Sequence, residues 1–328
     1  MLFNYLFVFL GSFLVGLIVI NILKKFSLNY TWLTLKGTPL IGGLGMGLSF
    51  IIISLLSLLM NRGLSRELIA IISTASIMLV FGLIDDWREL SVVAKFLVQI
   101  LAASLLIFFG IRTQIVYIGN LPNIIITLIW ILAITNAFNH LDVMDGVTAG
   151  VSVIISIAFF IISFLNGDIG SQILSLALIG STLGFLTYNL PPAQIYMGNS
   201  GSHFLGFAQA AIALAISYAP MERKVALFSP LLILGFPIFD TAFLILVRLS
   251  KKKMPFKKSN DHMVLRFLAL GYSKNKTLMI MLYWSSFFAL CGIMVSQFSN
   301  VLGIITISIA VLASLVLARR MFRVVVND

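Results

Sequence analysis

Two adjacent carboxylates, Asp85 and Asp86, end an apolar run in the string GLIDDWREL. Neighbouring acids repel unless a cation or a basic partner offsets them, and hard carboxylate oxygens suit Mg²⁺ where substrate phosphates complete its shell. Taken alone, such a pair also reads as a solvated helix end. A second string, NAFNHLDVMDG, sets Asn136, Asn139 and Asp142 at i, i+3 and i+6, with Asp145 at i+9. A helical extension of the preceding apolar run puts these on one side, and a helix cap needs one such residue, not four. In IYMGNSGSHFLGF, from Ile195 to Phe207, a Gly- and Ser-rich turn enters an apolar run. Its backbone amides suit phosphate oxygens, and an ordinary connecting turn reads the same way.

Further along, KKKMPFKKSNDHMVLRFLALGYS places Lys251, Lys252, Lys253, Lys257 and Lys258 ahead of Asp261, His262 and Arg266. Attraction to anionic lipid, roughly 1 kcal/mol per basic residue, accounts for the lysines as well as substrate binding does. His262 and Arg266 stand four apart on one helical face and are spaced to clamp a diphosphate. Asp240, in GFPIFDTAF, lies inside an apolar run, where an acid faces either a cavity or a structural hydrogen-bond network beside Pro237. IGGLGMG, from Ile41 to Gly47, opens an apolar span and follows no strand, so it reads as close helix packing and not as a dinucleotide loop.

These groups must be positioned by a membrane protein. The 328 residues are 60% hydrophobic and 10% charged, against about 45–50% apolar and about 25% charged in soluble domains. The net charge of +11 is therefore not a nucleic-acid signal, which expects a basic face on a soluble fold; loop Lys and Arg that set topology explain it. A single cysteine, Cys291, excludes an intrachain disulfide and packs as a small hydrophobe.

A spanning helix needs roughly 20 mainly apolar residues. Eleven segments qualify, near 2–23, 40–60, 68–84, 95–110, 122–137, 147–165, 170–188, 203–219, 225–248, 276–295 and 300–318, with Pro237 expected to bend the ninth. No repeat or linker divides the chain, so residues 1–328 are expected to form one integral membrane domain, all-α, with about 10–11 transmembrane helices. The first run has no basic residue before it and Lys24 and Lys25 after it, which marks a first helix with its N-terminus outside and not a cleavable signal. The cytoplasmic loops are then 24–39, 85–94, 138–146, 189–202 and 249–275, plus the tail, and 17 Lys and Arg fall inside against five outside. Lys36 contributes to the first count and Arg62 to the second. Glu67, Asp168 and Glu222 fall outside; Asp85, Asp86, Glu89, Asp142, Asp145, Asp261 and Asp328 fall inside, with His140, His203 and His262. Acids contribute little to orientation, so their clustering points to a site on the cytoplasmic face.

In this order, TPLIGG from Thr38 to Gly43, the Asp85–Asp86 pair, NAFNHLDVMDG, MGNSGS, PIFDT and the basic loop ending in LGYS resemble the polyprenyl-phosphate N-acetylhexosamine-1-phosphate transferases, the superfamily that includes the bacterial phospho-N-acetylmuramoyl-pentapeptide transferase. The resemblance covers nearly the whole chain. It implies an enzyme of the plasma (inner) membrane in which polyprenyl phosphate, such as undecaprenyl phosphate, attacks the β-phosphate of a UDP-amino sugar, releasing UMP and leaving a lipid diphospho-sugar for cell-envelope glycans. It further implies Mg²⁺, with Mn²⁺ as the alternative, and a homodimer.

Carried onto this chain, the resemblance makes Asp85 the base or nucleophile-activating carboxylate and Asp86 a metal- or diphosphate-site acid. Asn136, Asn139, Asp142 and Asp145 line the nucleotide and metal pocket, Asp145 and Asn199 join Asp86 as metal ligands, and His262 and Arg266 bind phosphate or sugar. Two departures stand out. Asn199 occupies the third position of MGDxGS, where the family has a metal-ligating acid, and only His262 and Arg266 match the family's H-x-H-H-R. Two other readings compete: a multispanning transporter of a lipid-linked solute, for which only Asp240 beside Pro237 fits, and a catalytically impaired paralogue, motivated by Asn199.

Overall fold

The computed structural model describes residues 2–326 apart from 28, 29, 31, 32, 36, 61–64, 220, 221 and 255–260. Lys36, Arg62, Lys257, Lys258 and Asp328, used in the charge arguments, lie outside the described residues. The protein is all-α and polytopic. Its elements are α1 (Leu2–Ser27), β1 (Thr34–Leu35), β2 (Thr38–Pro39), α2 (Gly42–Met60), α3 (Arg66–Trp87), α4 (Val92–Phe108), α5 (Asn120–Leu141) and α6 (Val147–Leu165). They continue with α7 (Ile169–Asn189), α8 (Gly198–Ala215), a 3-10 turn (Lys224–Phe228), α9 (Ser229–Ile233), α10 (Gly235–Ser250), α11 (Met263–Ala269), α12 (Lys274–Gln297) and α13 (Asn300–Phe322). The two strands form one antiparallel pair, Thr34 opposite Pro39 and Leu35 opposite Thr38.

Each of the eleven expected spans coincides with helix, but not all of these helices are, by length and composition alone, apolar enough to count as spans. Among the described residues eight helices are long and apolar enough to cross a membrane, and the bent pair from Lys224 to Ser250 would make a ninth. The difference from the expected count lies in α4, with 17 residues, and in α8. Helix α8 begins at Gly198, inside the segment read as a loop, and carries Asn199, Ser200, Ser202, His203 and Gln209, which lower its hydropathy. It is nonetheless buried along most of its length, against α3, α5, α2 and α6. Polar side chains inside a bilayer are tolerated when neighbouring helices surround them. At the periphery, only 22% of the apolar windows of α1 and α13 is buried, and their Leu and Ile side chains face outward.

The 71° bend falls at Leu234, between α9 and α10, and not at Pro237. Pro237 occupies the first turn of α10, where its missing N–H would have had no intrahelical acceptor, so the proline starts a helix instead of breaking one.

Helices α2 and α8 meet backbone to backbone. The Gly42 amide donates to the Tyr196 carbonyl at 3.0 Å, Gly43 to Met197 at 3.0 Å, and Tyr196 back to Pro39 at 2.8 Å. A Cβ on Gly43 would stand 2.1 Å from the Gly201 backbone nitrogen. The TPLIGG string is thus a zipper that fixes where α8 begins, as close packing of small residues allows. We predict that Gly43→Ala, by wedging these backbones apart, lowers stability by about 1–3 kcal/mol. Thermal unfolding in detergent should show a reduced midpoint. An unshifted midpoint for Gly43→Ala would contradict the zipper.

Candidate active site

The site is built where the C-terminal ends of α3 and α5 meet the N-terminal end of α8. Asp86, on the last turn of α3, points both carboxylate oxygens at the start of α8: Oδ1 accepts from the Asn199 amide at 2.7 Å and Oδ2 from the Ser200 amide at 3.0 Å. Leading amides of a helix are unpaired within it and sit at the positive end of its dipole, so a carboxylate is well held there. The glycine before them, Gly198, has φ 72°, and a Cβ on it would lie 2.6 Å from Asp86 Oδ2. The turn that could have held a phosphate therefore holds Asp86.

Asn139, on the last turns of α5, joins this pair by donating from Nδ2 to Asn199 Oδ1 at 3.1 Å and to Ser202 Oγ at 3.0 Å. Asp142 caps the end of α5, and its carboxyl is pushed up to about 7 by desolvation and by repulsion from Asp86 and Asp145. Asp145 lies in the following turn, where Oδ2 accepts from the Ala193 amide at 3.2 Å and faces Lys274 Nζ at 4.0 Å. Asn189, which the sequence reading passed over, fixes that turn by accepting from the Gly146 amide and donating to the Ile195 carbonyl, both at 2.9 Å.

Asp85 is enclosed. Its Oδ1 accepts from the Leu90 amide at 2.8 Å and its Oδ2 from Lys95 Nζ at 2.5 Å, and its side chain has no exposed surface. The expected base is thus the counterion of Lys95. Lys95, at the edge of the 85–94 loop, is one of the 17 basic residues assigned to the inner side, although its place in the apolar run of α4 is a signal in itself, since a lysine there needs a partner.

Three further expectations change. Asn136 donates to Gln99 Oε1 of α4 and to the Leu132 carbonyl of its own helix, both at 2.7 Å, and so faces α4 instead of the acids. A three-residue step falls about 60° short of a full turn, and the stripe drifts around the helix. Arg266 is buried and spoken for: Nε donates to the Asp261 carbonyl at 3.2 Å, Nη2 to Asp261 Oδ1 at 3.1 Å, and Nη1 to the Met321 and Val324 carbonyls. It staples α11 to the end of α13 and is not available as a diphosphate clamp. Lys251 pairs with Asp261 at 2.5 Å and is more than an orientation residue. His262 stays at the site end, with Nδ1 3.7 Å from Asp240 Oδ2. Asp240 also accepts from the Met263 amide at 3.1 Å, so the acid beside Pro237 serves a structural network at the start of α11.

Among the described residues no three His, Cys, Asp or Glu side chains form a metal cage. Asp86, Asp142, Asp145 and Asn199 are nonetheless hard oxygen donors, of the kind that hold Mg²⁺ through one or two carboxylates while waters and phosphates fill the shell. Burial does most to raise the Asp142 carboxyl, with repulsion from Asp86 and Asp145 adding to it; a cation offsets that repulsion, so this donor set fits one.

Residues 68–217, from α3 to just beyond α8, match Glycosyl transferase family 4. The chain is 32% identical over 296 residues to the probable undecaprenyl-phosphate N-acetylglucosaminyl 1-phosphate transferase of Bacillus subtilis (strain 168), covering 86% of this chain and 80% of that protein. It is 30% identical over 281 residues to the decaprenyl-phosphate N-acetylglucosaminephosphotransferase of Mycobacterium tuberculosis (strain ATCC 25618 / H37Rv), covering 75% and 69%. It is also 30% identical over 197 residues to the phospho-N-acetylmuramoyl-pentapeptide-transferase of Streptococcus pneumoniae (strain CGSP14), covering 55% and 60%. The acids, asparagines and α8 turn of the site fall within the matched stretch, and by this match together with the length of its likeness to these relatives the chain belongs to glycosyl transferase family 4.

Proposed function

We propose that this protein transfers a sugar 1-phosphate, an N-acetylhexosamine 1-phosphate, from a UDP-sugar to polyprenyl phosphate, giving polyprenyl-diphospho-sugar and UMP. The observation that carries the reading is the convergence of Asp85, Asp86, Asn139, Asp142 and Asp145 around the start of α8 at one end of an apolar bundle. The printed names of the relatives support it, since each is a transferase of a phosphorylated amino sugar or its muramoyl counterpart. A lipid phosphate reaches protein groups only where the membrane ends, and a site at one end of an apolar bundle suits that access. The excess of Lys and Arg on the same side, 17 against five, supports a multi-pass plasma-membrane protein with its site in the cytoplasm and its N-terminus outside.

In the reaction an oxygen of the acceptor phosphate bonds to the β-phosphorus of the UDP-sugar as the bond from that phosphorus to the UMP oxygen breaks. Little covalent work falls to the protein, so positioning and charge neutralisation dominate. Lys95, a quarter exposed and held by Asp85, offers a cation to the acceptor phosphate. Asn139 fixes Asn199, and Lys274 stands beside Asp145 for the donor's phosphates. Mg²⁺, or Mn²⁺ in its place, would be held by Asp86, Asp145 and Asn199, and when bound neutralises charge on the two reacting phosphates.

Three results test this. Purified protein should release UMP from a UDP-amino sugar only with polyprenyl phosphate and Mg²⁺ both present, and sealed inside-out vesicles should do so with UDP-sugar added outside. No UMP across a panel of UDP-sugars would sink the reading. Asp85→Asn should lower kcat by roughly 10²-fold or more while the Kd for UDP-sugar is unchanged, whereas equal loss of both would assign Asp85 to the fold. Asn199→Asp keeps the acceptor that Asn139 uses and adds charge, so it should lower the Mg²⁺ concentration for half-maximal rate. If it instead creates activity where the parent has none, the parent is an impaired paralogue.

A further inference from the structure

The protein has three histidines, and all three gather at the site end of the bundle. His203 lies on α8 one turn beyond Asn199 and on the same face. It is 1% exposed, neither ring nitrogen has a protein partner, and its ring leans on Phe81 of α3 with centroids 5.7 Å apart. Asp85, Lys95 and His140 lie close enough for their charges to be felt at its ring. His140 follows Asn139 on α5; its Nδ1 is buried without a partner, and it lies within range of the charges of His262, Asp240 and Arg248. His262 Nδ1 and Asp240 Oδ2, 3.7 Å apart, are likewise buried with no hydrogen-bond partner.

Buried ring nitrogens without partners therefore lie on α8, on α5 and at the start of α11, between the paired Asp85 on α3 and the unpartnered Oδ2 of Asp240 on α10. Buried ring nitrogens of this kind destabilise a fold, and an aliphatic side chain would fill the same space at no such cost. Packing alone gives no reason for a histidine at 140 or 203. A polar seam with two to four facing groups is, by contrast, what an ordered water needs.

We propose that His203 and His140, joined to His262 through buried water, form a hydrogen-bonded relay that ties the Asp85–Lys95 pair to Asp240, and that they act as positioning residues for the transfer. The catalytic part rests on the sugar-phosphate transferase reading; the relay itself does not. Two anionic substrates must meet in line between walls carried by different helices, and a misplacement of about 1 Å costs roughly 10²-fold in rate. The relay holds those walls in register, beneath the substrates and without touching them.

With only three histidines, protein labelled with ¹⁵N-histidine gives three imidazole systems, each assigned by substituting one residue. His140→Leu is expected to move the imidazole resonances of both His203 and His262, and His203→Leu those of His140; resonances that stay in place overturn the relay. In the UMP-release assay, His203→Leu should lower kcat roughly 10- to 100-fold with KM for UDP-sugar unchanged. Its thermal midpoint should match or exceed the parent's, and His203→Gln, which keeps a donor and an acceptor, should recover most of the rate. A Leu variant as fast as the parent overturns the positioning role, and so does one whose midpoint and rate fall together while Gln gives no rescue. If the parent itself releases no UMP, the transferase reading fails, and the resonances still decide the relay.

Discussion

One carboxylate on two backbone amides organises this molecule. Asp86 closes α3 onto the opening turn of α8, and the rest of the site can be traced outward from that contact. Gly198 is needed because a side chain there would collide with the carboxylate, and the α2 zipper is needed because it sets where the turn begins. Asn139 then reads the position of Asn199 from α5, and Asp142 and Asp145 follow in the next turn. The contact joins two helices whose acids and amides would otherwise be unsatisfied in an apolar surround, so fold and site depend on the same hydrogen bonds.

The architecture follows from the solvent. Helix α8 is too polar to face lipid and too buried to face water, and it is accommodated because α3, α5, α2 and α6 enclose it. The helices around the edge are the reverse case, apolar on nearly every face. A bundle of this kind can keep a row of Asn, Ser, His and Gln at its centre and bring the end of that row to one end of the bundle.

Much of this was legible in the sequence, for identifiable reasons. Long apolar runs are independent of register, so the helices fell close to where hydropathy put them, and Asp86, Asn139, Asp142 and Asp145 stood out because acids and amides beyond an apolar run have no core to serve; the structure gathers them at one end of the bundle. What failed was the choice of neighbour. The spacing of His262 and Arg266 says that they share a face, but not that the face meets the open carbonyls at the end of α13, which took the guanidinium. Asn136 was lost to helical drift. Lys95 was missed because its meaning comes from Asp85, ten residues away across a turn. Helix α8 was misjudged in its first turn because backbone amides filled by a carboxylate from another helix leave no trace in composition.

The staple at Arg266 has a mechanical side. Helix α13 is among the least buried in the bundle, so few side-chain contacts with its neighbours hold it along its axis. Arg266 grips the carbonyls at its exit and, through the same guanidinium, the backbone and side chain of Asp261, directly ahead of His262. A displacement of α13 along its axis would therefore strain these bonds and pull on Asp261, the residue next to His262.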